Sequence, residues 1–237
     1  RGVLFRGGLA VENLADITRL AMDKTGTITK GELELIAIET NTAGSDETFL
    51  DLAASLALNS THPLSRAILA EHNKRNGKRI GITDFVSIPG KGLEGNVNDH
   101  RVILGRRDLI LDREPLNHWL NKLPLPDAGL TEVIVHHHEL TGRLLLRDTP
   151  RPEAKALISK LNKDGIKTSM LTGDRAESAQ IIADEVGLQD FRYGLHPEDK
   201  VALIKNWRKQ GDKVAMAGDG INDAPSLAAA DVSIGMG

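Results

Sequence analysis

A short apolar run that ends in a carboxylate constrains the fold of this chain most strongly. Leu20-Ala21-Met22 has the composition of a short buried strand, and it leads directly into Asp23-Lys24-Thr25-Gly26-Thr27-Ile28-Thr29. Open α/β sheets place their chemistry at the carboxyl ends of parallel strands, where such a polar turn would lie. A carboxylate can attack phosphorus, and the N–H groups flanking Gly26 can cradle an anion. The stretch therefore predicts an α/β fold with Asp23 as a candidate nucleophile.

The last third of the chain repeats this alternation of strands and helices. Apolar runs that resemble buried strands precede Thr172-Gly173-Asp174 and Gly218-Asp219, and amphipathic segments lie between them. Such alternation predicts a parallel sheet with helices on both faces, of Rossmann-like type. The predicted elements are strands at 166–171, 214–217 and 232–234, a helix opened by Arg151-Pro152-Glu153, and helices at 176–186, 201–210 and 224–229.

The middle of the chain lacks this regularity. Residues 33–39 alternate apolar and polar side chains, which is typical of a strand with one wet face, and we therefore expect a domain boundary near Glu32. We predict a discontinuous core domain, 1–32 with 146–237, and an inserted α+β domain with an antiparallel sheet at 33–145. Within the insert the patterns predict helices at 46–59, 63–76 and 109–120, the last broken by Pro115, and strands at 85–88, 93–97, 102–104, 133–135 and 144–146.

Composition excludes several functional classes. The chain has 237 residues, a net charge of −3 with both signs interspersed, and no cysteine, so it cannot form a disulfide or a thiolate metal site. The charge gives no indication of nucleic acid or an anionic membrane surface as a partner. No apolar run approaches the roughly 18 residues of a membrane span. Because the chain begins at Arg1 and shows no signal peptide, we interpret it as a piece of a larger protein.

The heptad at 23–29 resembles the phosphorylation motif of the P-type ATPases, in which the aspartate is phosphorylated by ATP. Three later stretches agree with that family in order and type: Thr172-Gly173-Asp174, Pro197-Glu198-Asp199-Lys200 and Gly218-Asp219-Gly220-Ile221-Asn222-Asp223. Two further motifs resemble those of the heavy-metal-transporting branch: Thr61-His62-Pro63-Leu64 and Gly90-Lys91-Gly92-Leu93-Glu94-Gly95. The resemblance covers nearly the whole chain.

The resemblance implies how the first domain would transfer a phosphoryl group. Asp23 would accept it, while Asp219, the Asp23 carboxylate and the Thr25 carbonyl would bind Mg²⁺, which suits hard oxygen ligands. The Lys200 charge would neutralise the phosphoryl oxygens, and Thr172 would donate to them. Three more residues would belong to the nucleotide and phosphoryl site: Gly173, Asp174 and Asn222. Asn222 and Asp223 would act as orienting groups.

The resemblance also implies how the insert would bind ATP. His62 would contact the nucleotide, and Gly90, Gly92 and Gly95 would let the backbone approach it. The alternative for His62 is an ordinary histidine at a helix start. The family has a glutamate five residues before this histidine, and here that position is Ala57, so adenine binding would be weaker or would use another group such as Asn59.

Two alternative functions stay open. One is a soluble phosphatase of the haloacid-dehalogenase superfamily, whose members resemble Asp-x-Asp at the nucleophile and use the second carboxylate as an acid–base group. Thr25 occupies that position here, which favours a persistent aspartyl-phosphate. The other alternative is a non-catalytic nucleotide-binding module, against which the intact Asp23, Lys200 and Asp219 argue.

The expected setting follows from the family. The chain would lie on the cytoplasmic face of a membrane, and its partners would be ATP and the transmembrane metal-binding and actuator domains of the same polypeptide. We expect no nucleic acid partner and a monomeric fragment. Residues 147–152 resemble the hinge that returns from the nucleotide domain. His136-His137-His138 is interpreted as an exposed strand end rather than a metal site, because alternate side chains of a strand face opposite ways.

Overall fold

The computed structural model describes residues 8–219 and 223–236, with residues 8–11 described by their backbone alone. The strands are β1 Arg19–Asp23, β2 Thr29–Thr40, β3 Thr83–Ile88, β4 Gly92–Val97, β5 His100–Gly105, β6 Thr131–His137, β7 Leu140–Pro150, β8 Lys167–Leu171, β9 Asp190–Arg192, β10 Val214–Gly218 and β11 Val232–Gly235. The helices are α1 Gly8–Ala15, α2 Asp46–Ala57, α3 Pro63–Lys74, α4 Arg107–Arg113, α5 His118–Lys122, α6 Ala154–Lys163, α7 Ala176–Val186, α8 Pro197–Lys209 and α9 Ala224–Ala229.

The chain divides into two compact units. Unit 1 consists of Arg1–Gly31 with Asp148–Gly237, and unit 2 consists of Glu32–Arg147. Unit 1 contains a five-stranded sheet in the order β11-β10-β1-β8-β9, and its neighbouring strands are parallel. Unit 2 is built on the six-stranded sheet β2-β7-β6-β5-β4-β3, whose pairs from β3 to β7 are antiparallel. The predicted class, a parallel α/β sheet and a separate antiparallel α+β region, is confirmed.

Alternate residues of β1 pack on opposite faces of the parallel sheet. Leu20 and Met22 pack in one apolar cluster with α6 and α7, whereas Ala21 packs in another with α8 and α9. A strand covered on both faces must be apolar at successive positions, which is why Leu20-Ala21-Met22 is a continuous buried run. Helices therefore cover both faces of the sheet, as the alternation of strands and helices predicts.

The core of unit 2 is formed by one face of its sheet and the helix pair α2 and α3. Their shared cluster contains Phe49, Leu56 and Ile68 from the helices and Leu104 and Leu144 from the sheet, all nearly or fully buried. A second cluster lies around Ile103, Ile110 and Ile134 under α4 and α5. The interruption predicted at Pro115 is confirmed, since α4 ends at Arg113 and α5 begins at His118.

Several predicted bounds were wrong. Helix α8 begins at Pro197 rather than at 201, and the three-residue edge strand β9 was not predicted. Strands β2 and β7 extend well beyond the predicted 33–39 and 144–146. The apolar run at 3–5 lies outside the described residues. In the described part of the chain, no helix is both long enough and apolar enough to cross a membrane.

Candidate active site

Strand β1 delivers Asp23 to the carboxyl edge of the parallel sheet. Asp23 lies level with Leu171 of β8, and Met22 lies level with Ala217 of β10, so three strands end together. Beyond Asp23 the residues Lys24–Ile28 form a tight turn in which Gly26 has φ of 74°, a conformation that strains residues with a Cβ. Lys24, Thr27 and Ile28 are buried, and Thr25 is exposed. The turn is thus part of the folded core rather than a loose loop.

Lys200 joins two carboxylates at this edge. Its Nζ lies 2.5 Å from Asp23 Oδ1 and 2.8 Å from Asp223 Oδ1. Pro197 occupies the first turn of α8, and His196 and Asp199 form a reciprocal capping box, so Lys200 projects from a well-anchored helix start. The side chains are buried: Lys200 is 10 % exposed, Asp23 13 % and Asp223 1 %. Lys200, expected to serve the phosphoryl group, thus lies in direct contact with the candidate nucleophile.

Burial and neighbouring charges change the pKa values of this cluster. Burial raises the pKa of Asp23, and although Lys200 opposes that effect, the nearby charge of Asp223 adds to it. Burial alone would lower the pKa of Lys200, but its hydrogen bonds to Asp223 and Asp23 outweigh that effect and raise it. Lys200 is therefore a permanent cation at neutral pH. Asp23 ionises less readily than an exposed aspartate, as expected when two buried carboxylates share one ammonium group.

Two residues that follow the insertion hold the turn in place. The Asp148 carboxylate accepts hydrogen bonds from Thr29 Oγ1 at 2.5 Å and from the Gly31 amide at 3.0 Å. The Arg151 guanidinium donates from Nη2 to the Gly26 carbonyl at 2.9 Å and from Nε to the Thr27 carbonyl at 3.1 Å. Burial raises the pKa of Asp148, against the opposing effect of the Thr29 hydrogen bond. Sequence reasoning missed both roles; its only signal was the resemblance of residues 147–152 to a hinge.

The segment Thr172-Gly173-Asp174 also lies at the carboxyl edge, immediately after β8. Thr172 is 3 % exposed, and its hydroxyl oxygen accepts the Asp174 amide at 3.1 Å, which leaves the hydroxyl proton available to a ligand. Asp174 Oδ2 lies 2.5 Å from Lys24 Nζ. The second predicted loop is therefore joined to the turn after Asp23 by an ion pair. Sequence reasoning assigned Asp174 to the nucleotide site and did not anticipate this contact with Lys24.

Asp219 follows β10 and lies against the same turn. A Cβ built on Gly26 would come within 3.7 Å of the Asp219 Cβ, so the two segments are in close approach. Asp219 is exposed, whereas Asp23 is largely buried, and together they present two carboxylates at the ends of adjacent strands. Hard oxygen donors of this kind suit Mg²⁺, so the residues present fit the predicted ion. The predicted residue Asn222 lies outside the described residues.

In unit 2, His62 begins helix α3. Its Nδ1 accepts a hydrogen bond from the Leu64 amide at 3.2 Å, Pro63 occupies the first turn, and the residue is exposed. His62 therefore has a structural role as the N-cap, and its other ring nitrogen is not used by the cap. Ala57 is 0 % exposed and packs in the core cluster at the end of α2. A glutamate at this position would place its carboxylate in the core rather than at a ligand.

The three predicted nucleotide-site glycines each have a local structural reason. Gly90 has φ of 71° in the turn before β4. A Cβ on Gly92 would lie 2.7 Å from the Gly105 Cα on the neighbouring strand, and one on Gly95 would lie 2.5 Å from Ile82 Cγ2. Backbone conformation at Gly90 and sheet packing at Gly92 and Gly95 thus favour glycine even without a ligand.

The histidine run is less exposed than predicted. His136 and His137 are half-buried at the end of β6, and His138 occupies the turn with φ of 55°. His136 Nδ1 hydrogen-bonds the Thr141 hydroxyl at 2.8 Å, and burial lowers its pKa. His138 lies 4.8 Å, centroid to centroid, from His100. Among the described residues, no group of three or more histidine or carboxylate side chains is arranged to hold a metal ion.

Comparison with known proteins shows the family to which the chain belongs. The chain belongs to the haloacid dehalogenase-like hydrolase family, whose family model matches residues 17–231. Over its whole length it is similar to the copper-exporting P-type ATPase of Staphylococcus aureus strain MRSA252, with 36 % identity over 245 residues. The chain spans 29 % of the length of that relative. The predicted resemblance to the P-type ATPases is thereby confirmed.

Two solved structures have the same fold. A zinc-transporting PIB-type ATPase in the E2.Pi state superimposes with a TM-score of 0.82 and 37 % identity, over 97 % of this chain and 38 % of that chain. The catalytic domain of the CPx-ATPase CopB-B gives a TM-score of 0.61 and 28 % identity, over 97 % of this chain and 85 % of that chain. The second structure is of similar extent to this chain and is described as a catalytic domain.

Proposed function

We propose that this chain is the ATP-binding and autophosphorylating catalytic part of a heavy-metal P-type ATPase. The observation that carries the proposal is the contact of Lys200 with both Asp23 and Asp223 at the end of the central strand. A structural ion pair would need one carboxylate, whereas a phosphoryl acceptor needs a nearby cation for the negative charge that it gains. Unit 1 would be the phosphorylation domain, and unit 2 would bind ATP.

In the proposed reaction an Asp23 carboxylate oxygen attacks the γ-phosphorus of ATP. A P–O bond to Asp23 forms, the bond to the bridging oxygen breaks, and its electron pair leaves with ADP. Asp219, the Asp23 carboxylate and the Thr25 carbonyl would hold Mg²⁺, which, when bound, neutralises charge on the transferring group. Lys200 orients the Asp23 carboxylate and offsets the added charge, while the Thr172 hydroxyl can donate to a phosphoryl oxygen.

The aspartyl-phosphate should persist in this chain. Thr25 offers no carboxylate to activate water, so hydrolysis would depend on groups outside these residues. One relative is named as a copper-exporting ATPase and one solved structure as a zinc-transporting ATPase, and their sequence identities to this chain are nearly equal. Similar catalytic parts are expected if ion selection lies elsewhere in those proteins. We therefore propose membrane and actuator domains of the same polypeptide as partners, with this chain at the cytoplasmic face.

The decisive experiment is labelling with ATP carrying radioactive γ-phosphate. The wild-type chain with Mg²⁺ should form an acid-stable, hydroxylamine-sensitive phosphoenzyme, and Asp23→Asn should abolish it while ATP affinity is retained. Asp164→Asn, an exposed carboxylate at the end of α6, is the matched control and should label normally. Full labelling of Asp23→Asn would refute the assignment. Rapid loss of label as free phosphate would favour the phosphatase, and ATP binding without label would favour the binding module.

A separate pair of variants tests His62. His62→Gln should weaken ATP binding by about tenfold, about 1.4 kcal/mol, the size of one polar contact. His62→Asn removes the imidazole but preserves an effective N-cap, so it should lose the same affinity without loss of stability. Unchanged affinity in the asparagine variant, measured by calorimetry, would leave His62 with only its capping role.

A further inference from the structure

The amino edge of the parallel sheet in unit 1 carries a cationic cleft. The cleft has a volume of about 490 Å³ and lies between the last turns of α8 and the start of β10. Its lining contains four cationic residues and two carboxylates. Because β1, β8 and β10 are parallel, this edge is opposite to the one that carries Asp23. A ligand bound here would leave the candidate active site accessible.

Both carboxylates of the cleft are already neutralised. Asp212 accepts Arg19 Nε at 2.9 Å and Lys167 Nζ at 3.0 Å. Burial alone would raise the pKa of Asp212, but these two cations hold it below its ordinary value. Asp231 lies 2.7 Å from Arg208 Nη2, and it also accepts the Val214 amide. Neither aspartate is therefore free to offset further positive charge.

Three lysines remain unmatched. Lys205, Lys209 and Lys213 line the cleft, are exposed, and have no carboxylate partner among residues 8–219 and 223–236. A lysine in the last turn of a helix often serves the helix dipole, which accounts for Lys209. Lys205 lies one turn earlier, and Lys213 lies beyond the end of the helix, so the dipole does not explain them. The three charges converge on one concave surface although the chain as a whole is acidic.

We propose that this cleft binds the headgroups of anionic phospholipids. Lysine ammonium groups are compact point charges that suit phosphate, and juxtamembrane lysines gain affinity at an anionic leaflet. The relatives are named as ATPases that export copper or transport zinc, so a membrane is available to a part of such a protein. Single-stranded nucleic acid is disfavoured, because the lining includes no aromatic side chain on which bases could stack. The amino edge of the sheet would thus face the bilayer.

The test is co-sedimentation of the chain with lipid vesicles. The wild-type chain should sediment with vesicles of phosphatidylglycerol and phosphatidylcholine at low salt, and with neither pure phosphatidylcholine vesicles nor the mixed vesicles at high salt. The triple variant Lys205→Gln, Lys209→Gln, Lys213→Gln should bind the mixed vesicles about a hundredfold more weakly, since each of the three juxtamembrane lysines accounts for roughly fivefold.

A second triple variant is the matched control. Lys74→Gln, Lys78→Gln, Lys122→Gln removes the same charge from exposed positions of unit 2, and its binding should stay within about twofold of the wild type. Circular dichroism of both variants establishes that they are folded. An equal loss of vesicle binding in both triple variants would show a general charge effect and overturn the proposal. A wild-type chain that does not bind anionic vesicles would also overturn it. Asp23→Asn should bind vesicles normally, so this result is independent of phosphoryl transfer.

Discussion

Removal of the Lys200 ammonium should destabilise unit 1 in a manner that depends on pH. Lys200→Ala leaves Asp23 and Asp223, the latter 1 % exposed, as buried carboxylates without their shared cation. Loss of one partner from a buried ion pair costs about 3–5 kcal/mol, because the remaining charge is uncompensated. We expect a loss of that size at neutral pH.

The sign of the pH dependence follows from the pKa shifts. The pKa of Lys200 is raised above 10.5, so its contribution is fully present at neutral pH and would be lost only as pH rises through that raised value. Burial raises the pKa of Asp23, so the folded state binds a proton there more tightly than the unfolded state does. In Lys200→Ala, acidification should protonate the unpaired carboxylates and shrink the stability difference from wild type. The difference should therefore be largest near neutral pH.

Tryptophan fluorescence can follow this unit selectively. The chain has two tryptophans, Trp207 on α8 in unit 1 and Trp119 on α5 in unit 2. In a Trp119→Phe background, urea unfolding followed by Trp207 reports on unit 1 alone. The matched control is Lys200→Met with Asp223→Asn, which retains an aliphatic stem and removes one buried charge, and should recover at least about 2 kcal/mol without restoring phosphorylation. A Lys200→Ala variant within about 1 kcal/mol of wild type, with no pH dependence, would refute the reasoning.

Four further outcomes are expected. Gly95→Ala should lower the free energy of unfolding of unit 2 by about 1–3 kcal/mol in urea, because a Cβ would meet Ile82. Gly81→Ala is the control and should be nearly neutral, since the space around Gly81 is open. Equal effects of the two substitutions would contradict the packing argument. Ala57→Glu should destabilise unit 2 by about 3 kcal/mol or more, and tighter ATP binding by a stable variant would show that reasoning to be wrong. Arg151→Met should lower the phosphorylation rate with ATP affinity unchanged, since it frees two carbonyls of the turn; a normal labelling rate would count against that role. Steady-state phosphate release should be slow and unaffected by Zn²⁺, Cu⁺ or Cd²⁺, and stimulation by any of them would reveal a regulatory metal site.

The sequence predicted the elements whose signals are local. The bounds of α7 and α9 were correct, because Gly187 ends the first and Pro225 lies in the first turn of the second. The start of α8 was misplaced because Pro197-Glu198-Asp199-Lys200 was interpreted only as a functional motif. The same residues are a helix start, with proline in the first turn and a capping box. Lys200 thus lies on a helix rather than on a loop before one.

The contacts that define the site were harder to predict from the sequence. The turn after Asp23 is held by Asp148 and Arg151, and Thr29 and Asp148 are 119 positions apart. No periodicity or local propensity indicates such a pair, because both residues are ordinary polar side chains until the strands bring them together. For Ala57, family comparison suggested a missing ligand contact, whereas the structure gives full burial. The helical spacing of Leu50, Ala53, Ala54 and Ala57 places them on one apolar face, and that face packs in the core as predicted.

The central position of β1 has a consequence for synthesis. Arg19 of β1 pairs with Lys167 of β8 and with Val214 of β10, so both neighbours of β1 lie far along the chain. Strand β1 therefore leaves the ribosome long before either neighbour has been made. All of unit 2 is made in the interval, and a contiguous unit can fold while the chain is still growing. Closing a loop of that length from a disordered chain costs about 4 kcal/mol of entropy. Because β2 and β7 are neighbours in the unit 2 sheet, an insert that folds first brings Gly31 and Asp148 together before the parallel sheet forms.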